Sequence, residues 1–368
     1  MPEPLVSVLL PVFNAEPYIG AALESILRQD YRKLEIIAID DGSTDRSLDI
    51  LRRYHQADSR ISIVSRENRG LVATLNEGLT LARGDLIARM DADDIAYPWR
   101  LSRQVEAFRS RAGLAICGSD VDTMQGERIL RGTPNPIYRS CELRVLSLFF
   151  TLFIHSTVVF DRRVIPQDIL RYDAGYPHAE DFDLFRRITG RLPAVMIEES
   201  LIVYRVHGES VTSRHKREMR QTHLKIVGEN LEREGLSAAP EGLLAIGERV
   251  GPETIRSAAD WLLALEDAIT ALPEGQRASY EVGALNFFYF LYQLLGDEQR
   301  PDLTHELLTK TCKWGVIRRR ERYSLLAGAR APWFSLASIA INRRVDAVAR
   351  YLKSVPAAAL LPSHQPGW

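Results

Sequence analysis

Residues 85–100 read DLIARMDADDIAYPWR, an apolar stretch that runs into three carboxylates, Asp91, Asp93 and Asp94, within four positions. The end of a buried strand is a poor place to gather like charges, because each carboxylate must be solvated or paired. Two readings account for the cluster. It is a solvated turn capping the helix expected over PWRLSRQVEAF, or the carboxylates surround something positive. The segments on either side decide between them.

Upstream, short apolar runs alternate with helical patterns. LVSVLLPVF (5–13), LEIIAID (34–40), ISIVS (61–65) and DLIARM (85–90) read as four strands. Helices are expected from about Pro17 to Gln29, after Asp45, and across LVATLNEGLTLA up to Arg83-Gly84. Asn14 or Glu16 falls near the first helix start, and Pro17 suits its first turn. Strands alternating with helices of about a dozen residues predict βαβ units and a largely parallel sheet. Such sheets bind ligands at the carboxyl ends of their strands. PVFNAEP follows strand one, DDGSTD strand two and DADD strand four, so the polar clusters converge on one edge.

From about 100 to 210 the pattern is mixed, with LAICGSDVD, FIHSTVVF, AVMIEE and LIVYRVH strand-like. Beyond His215 the apolar spacing is helical, in HKREMRQTHLKIVGENLERE, PETIRSAADWLLALEDAITAL and ASYEVGALNFFYFLYQLLGD. The expected division is an α/β domain over 1–214, a helical domain over 215–353, and a frayed tail over 354–368.

The chain has 368 residues, a formal net charge of −1, and apolar and charged fractions of 46% and 26%. That near-neutral balance gives no reason to expect nucleic acid as a partner. Cys117, Cys141 and Cys312 are far apart, odd in number and form no CxxC, which suggests reduced thiols in a cytoplasmic protein. MPEPLVSVLLPVF lacks the features of a signal peptide, and VLSLFFTLFIH is too short to span a bilayer. No G-x-G-x-x-G follows strand one, which argues against a dinucleotide.

PVFNAEPYIGAALESILRQ, DDGSTDRS, ENRGLVATLNEGL, ARGDLIARMDADDIAYPWRL, HAEDFDLFRRI and YRVHGESVTS occur in this order. Together they resemble the family 2 glycosyltransferases, over about residues 5–213. The resemblance implies a GT-A-like fold: Rossmann-like, with a mostly parallel central sheet flanked by helices, here followed by an all-helical C-terminal domain. It also implies an inverting transfer of sugar from a nucleotide diphosphate donor, UDP-linked by preference, to a glycan or lipid-linked glycan acceptor.

The physics of the motifs agrees. A departing diphosphate develops charge that a divalent cation can stabilise, and hard oxygen ligands suit Mn²⁺ or Mg²⁺. In a D-x-D on extended backbone, positions i and i+2 face one side, so Asp91 and Asp93 can address one ligand across Ala92. The resemblance makes Asp93 the direct metal ligand and sets Asp91 toward the ribose or the metal's water shell. A D-x-D is also found in haloacid-type phosphatases, but there it follows the first strand. The resemblance places Pro11, Phe13 and Asn14, with Asp40 or Asp41, around the nucleoside, Asp41 being favoured for the base. Asp45 reads as a helix cap.

Arg69 can reach the base or diphosphate, or simply be solvated. Arg205 can neutralise the diphosphate, and His207 can complete the metal site or serve structure alone. Glu180 and Asp181 either complement a helix dipole or supply the general base. Asp181 is assigned as that base, with Glu180 in support. His155 is a weaker candidate for the acceptor cleft.

Two rivals differ in chemistry. A sugar-nucleotide nucleotidyltransferase would want a glycine-rich, basic loop after strand one, which FNAEPY is not. A non-catalytic nucleotide-binding module would bind without releasing sugar. Finally, Lys313–Lys353 carries ten basic residues against two acidic. With Trp314, Trp333, Phe334 and SLASIAI nearby, this basic stretch is either a solvated helical face or a peripheral contact with an anionic membrane surface.

Overall fold

A computed structural model describes residues 3–207, 215–236, 241–247, 249–328, 341, 346–347, 349–350, 352–357 and 360–361. Four strands come first: β1 (Val6–Val12), β2 (Leu34–Asp40), β3 (Ile61–Ser65) and β4 (Leu86–Arg89). They pair in parallel in the order β4-β1-β2-β3, with Val12 opposite Asp40 and Leu9 opposite Arg89. Helices α1 (Ile19–Leu27), α2 (Ser47–Ala57) and α3 (Leu71–Leu81) connect them. α1 starts two residues later than the sequence suggests, and Pro17 lies in the turn feeding it.

The period-2 geometry of a strand explains why β1, β2 and β4 are largely apolar on both faces. Val6, Val8 and Leu10 of β1 join Ile36 and Ala38 of β2 and Leu86 and Ala88 of β4 in one core. The alternate residues Leu9, Ile37, Ile39 and Ile87 join a second core on the opposite face. Both faces are covered at β1, β2 and β4, so the alternation of a half-exposed strand survives only in the edge strand β3.

The other half of the sheet is mixed. It holds β5 (Ile95–Ala96), β6 (Ile116–Gln125), β7 (Arg128–Leu130), β8 (Val159–Asp161), β9 (Ala194–Arg205) and β10 (Val355–Pro356). β8 inserts antiparallel between β4 and β6, while β9 runs parallel to β6 and antiparallel to β5. AVMIEE and LIVYRVH, two runs in the sequence, thus belong to one long strand. FIHSTVVF is strand only at its end, because His155–Thr157 forms a 3₁₀ turn. The tail read as frayed begins instead as an edge strand: β10 pairs with β7, and Ala357, Leu360 and Leu361 pack against Ile129 and Val203.

α4 (Arg100–Ser110) follows β5, and two short turns, α5 (Ile137–Ser140) and α6 (Leu143–Leu146), precede β8. α7 (Glu180–Thr189) carries the ED pair at its first turn. Behind it, helices over Lys216–Arg233, Pro252–Thr270, Glu274–Asp297, Pro301–Lys310 and Arg319–Gly328 form the helical part. Their shared core takes in Val145, Leu148, Phe149 and Phe182 from the α/β part. Contact is close enough that a side chain on Gly283 would place its Cβ 2.2 Å from the Phe149 ring.

A buried polar network fixes α7 to these helices. Arg186 is bonded to Asp183 at 2.9 Å, Glu229 at 2.8 Å and Asn230 Oδ1 at 2.8 Å, and Asn230 Nδ2 donates to Leu148 O at 3.0 Å. A buried guanidinium is tolerable only with such complete pairing. The network holds the ED pair on a rigid element.

Candidate active site

The carboxyl ends of β1, β2 and β4 border a cavity of about 690 Å³, a usual size for a small-molecule site. Pro11, Phe13, Asn14, Asp41, Arg69, Asp91, Ala92, Asp93, Glu180 and His207 all line it. Segments nearly two hundred residues apart therefore meet at one place, as the convergence of polar clusters anticipates.

The first wall is the loop after β1. Phe13 is 52% exposed and lines the cavity. Asn14 takes a left-handed backbone (φ 49°) and ties the loop to the next one: its N–H donates to Ser43 Oγ and its Oδ1 accepts from Thr44 N–H at 2.8 Å. Gly42 makes that second loop possible. Its φ is 76°, and a Cβ there would sit 2.7 Å from Asn68 N. Asp45 accepts from Ser47 N–H at 2.9 Å and Glu16 N–H at 2.9 Å, so it fastens the start of α2.

The two aspartates after β2 separate in role. Asp40 is 1% exposed and turns inward, accepting from Ser43 N–H at 3.3 Å and Ser65 Oγ at 2.9 Å. It shapes the turn and is not among the residues facing the cavity. Asp41 faces the cavity and accepts from Arg69 N–H at 2.8 Å, Gly70 N–H at 2.9 Å and the Arg66 guanidinium. Two of these bonds fall on Oδ1, leaving Oδ2 one free lone pair. The backbone of Arg69 thus orients Asp41, while its side chain borders the cavity.

At the third wall stand the carboxylates of the D-x-D. One oxygen from each of Asp91, Asp93 and Asp94 lies within 4.8 Å of the others. Asp91 pairs with the buried Arg89, and Asp93 Oδ2 lies 2.8 Å from His207 Nε2. Asp94 Oδ1 accepts from Arg205 N–H at 2.9 Å, while its buried Oδ2 has no protein partner. Burial and the charges of Asp91 and Asp93 push Asp94 up to about 8, and burial likewise raises Asp91. The group is short of positive charge. An all-oxygen set with an orphaned buried oxygen is what a hard divalent cation satisfies, so the residues fit Mn²⁺ or Mg²⁺.

The pairing of β5 with β9 brings the late segment here. Ile95 lies opposite Val203, which sets Arg205 and His207 against the residues just before β5. Arg205 Nε donates to Asp93 O at 2.8 Å, and its guanidinium lies 5.0 Å from the centre of the Tyr18 ring. It therefore stands behind the D-x-D and is not among the lining residues. His207 stacks on Tyr18 at 5.1 Å. Gly208 to Ser213, the rest of that motif, lie outside the described residues.

On the fourth wall is α7. Glu180 lines the cavity and is 7% exposed, with its carboxyl raised by burial. Asp181, next to it in sequence, is half-buried, is not among the lining residues, and accepts from Phe182 N–H at 2.7 Å. Burial, then the Glu180 charge, push Asp181 up to about 7, the range in which a carboxylate works as a base near neutral pH. His155 is held away from any such role: its Nε2 is 2.8 Å from Tyr172 Oη, and burial keeps it neutral.

Sequence reasoning does not single out Tyr18, Arg66 or Arg89. Tyr18 lies within an ordinary helix start, and Arg66 acts through partners distant in sequence. Arg66 bridges Asp41 and Glu77, and Arg89 is the unusual basic residue inside a buried strand, the one signal that could have exposed it.

The sequence model of glycosyl transferase family 2 matches residues 7–167. An uncharacterized glycosyltransferase of Haemophilus influenzae is 33% identical over 240 residues, covering 62% of this chain and 73% of that one. The putative glycosyltransferase EpsE of Bacillus subtilis is 32% identical over 228 residues, covering 55% of this chain and 81% of that one. Chondroitin synthase of Escherichia coli is 28% identical, but the match spans 33% of that longer protein. Among solved structures, a mannosyltransferase of Pyrobaculum calidifontis in complex with GDP-Man and Mn²⁺ superposes with a TM-score of 0.50 at 20% identity, covering 84% of this chain and 88% of that one. Residues 1–349 of S. aureus TarS also give 0.50, at 18% identity, covering 89% and 91%. These two likenesses concern the fold.

The fold is GT-A-like with a helical C-terminal region, and the chain belongs to glycosyl transferase family 2. It is a glycosyltransferase, which sets the nucleotidyltransferase reading aside.

Proposed function

We propose that the protein moves a sugar from a nucleotide diphosphate sugar, UDP-linked by preference, to a hydroxyl of a glycan or lipid-linked oligosaccharide, with inversion at the anomeric carbon. The observation that carries this reading is a single cavity bordered by Phe13 and Asp41 on one side, Asp91 and Asp93 at its end, and Glu180 opposite. Residues 1–214 form the transferase domain and 215–353 a helical domain that braces α7.

In this reading the base stacks against Phe13, and its imide N–H donates to the free lone pair of Asp41 Oδ2. Pro11 and Asn14 border the ribose. Asp91 and Asp93 hold Mn²⁺ or Mg²⁺, with His207 beside Asp93 and Arg205 fixing the Asp93 backbone. The cation, when bound, offsets the charge that develops on the departing diphosphate. Asp181 accepts the proton of the attacking hydroxyl, and Glu180 contacts the sugars. Transfer with inversion needs one base and no covalent nucleophile.

The acceptor assignment draws on the basic helical end. Val316, Tyr323 and Leu326 are exposed on the same stretch as Arg318 and Arg319, a combination suited to an anionic membrane surface carrying a lipid-linked glycan. Among the described residues no helix is long and apolar enough to cross a membrane. Arg318 and Arg320 are within ion-pair distance of Asp346, which tempers their charge, and Trp333, Phe334 and residues 335–340 lie outside the described residues.

The test is nucleotide release from a panel of UDP-, GDP- and dTDP-sugars with Mn²⁺ and an oligosaccharide acceptor, followed by assignment of the product anomer. The proposal expects one donor class to turn over and an α-linked donor to give a β-linked product. Retention of configuration would refute the single-base chemistry.

A further inference from the structure

Among the described residues, one other group of side chains converges in a way that suits a metal ion: His178, His215 and Glu218. One donor atom from each lies within 4.8 Å of the others. His178 Nε2 is 2.9 Å and His215 Nδ1 3.1 Å from the same oxygen, Glu218 Oε2. The two imidazoles stack at 4.1 Å with 15° between their planes. We infer that these three residues form a second cation site, at the rim of the donor cavity, for a borderline transition ion such as Zn²⁺.

Donor chemistry separates this site from the D-x-D. Two imidazoles and a carboxylate favour Zn²⁺, Co²⁺ or Ni²⁺, whereas an all-oxygen set favours Mg²⁺ or Mn²⁺. The spacing is also apt. Tetrahedral ligands at roughly 2.0–2.1 Å from a Zn²⁺ ion lie about 3.3 Å apart, close to the N–O separations seen here. Glu218 Oε2 is already shared between the two nitrogens, and the imidazoles would turn out of their stack to aim both lone pairs at one ion.

Local structure presents the three ligands. His215 immediately precedes the helix Lys216–Arg233 and Glu218 lies in its first turn, so a spacing of three puts both on one face. His178 sits on the loop two residues before Glu180, at φ 59°, a backbone region uncommon for a residue with a side chain. The neighbouring cations are turned away: Lys216 faces Asp297, and Arg217 donates to Gly247 O. The Glu218 carboxylate offsets the positive end of the helix dipole, which would otherwise repel a cation.

Both histidines line the donor cavity. A bound ion would therefore clamp the start of the helical part to the loop that leads into α7 and its ED pair, with its remaining coordination position filled by water or a substrate oxygen. The inference does not depend on the donor or acceptor proposed above.

Co²⁺ titrated into the full chain, with excess Mg²⁺ to occupy the D-x-D, reports the site without any activity assay. The expected result is one Co²⁺ per chain with a visible absorption band of a low-coordinate nitrogen and oxygen site. Zn²⁺ should displace it. His215→Ala and Glu218→Gln should each weaken binding by at least about tenfold while leaving the circular dichroism spectrum unchanged, as expected for loss of a ligand. Asp93→Ala should keep the band. The inference is overturned if no Co²⁺ binds, if binding survives both rim substitutions, or if it is lost in Asp93→Ala.

Discussion

The parallel half of the sheet and the helical part behind it are equally apolar inside, yet they differ in what their sequences disclose. In β1, β2 and β4 the apolar residues of the buried run alternate between two cores, and the residues just past the strand ends border the cavity. Helices of the second region bury Leu262, Phe287, Leu291 and Leu307 just as completely, but their polar faces end in scattered ion pairs. The difference teaches that position within the fold matters more than composition. A carboxylate at the end of a parallel strand faces a crevice shared with other strand ends, whereas Asp260 and Glu306 on the outer helix faces meet water and a single basic partner.

That contrast predicts effects on turnover in the first region and on stability in the second. Asp93→Ala should be the most damaging change, lowering transfer by at least about 10³-fold, since even one stabilising donor at a charged transition state is commonly worth 10²–10³. Steady-state assays at saturating Mn²⁺, with unfolding midpoints for comparison, check it. Asp181→Asn should cost about 10²–10³-fold, within the span of general-base contributions. With Asp181 at about 7, the rate of the parent enzyme should climb with pH through that value, and the rise should vanish in the variant. Glu180→Gln, retaining Asp181, should keep the climb but move it to lower pH, because the Glu180 charge helps to raise Asp181.

Arg186→Ala sharpens the comparison, because it touches no substrate in this account. It leaves Asp183 paired with Arg187 alone and removes a partner of Glu229 and of Asn230, and should destabilise the fold by roughly 2 kcal/mol, read by urea unfolding. Asp41→Asn should have a smaller consequence, weakening nucleotide affinity by about tenfold through loss of one charge-assisted bond. Smallest of all, Arg318→Ala should shift stability by less than about 1 kcal/mol, as exposed ion pairs do. Any effect of that change on sedimentation with anionic vesicles would therefore report the membrane surface itself.

Much of the catalytic half is legible in the sequence because its information is local. A strand end, a D-x-D and an ED pair each occupy a few consecutive residues, and the order of motifs supplies the topology. What escapes is set by distant partners. Nothing near Asp40 says that it turns inward to Ser65 while Asp41 faces out, and nothing near Tyr18 announces His207. The β5–β9 pairing joins Ile95 to Val203, too far apart for a periodicity to reveal. The 3₁₀ turn at His155–Thr157 hides within an apolar run that looks like continuous strand. In the helical part, periodicity locates the helices but says nothing about Gly283 receiving Phe149.

The central claim is that the strand-end carboxylates hold a cation that holds a nucleotide diphosphate. Calorimetric titration of UDP, GDP and dTDP into the protein, with Mn²⁺ and with EDTA, tests it most directly. The account predicts binding of one nucleotide class that requires the metal and disappears in Asp93→Ala. Binding that is equally tight in EDTA, or unchanged in Asp93→Ala, would contradict it.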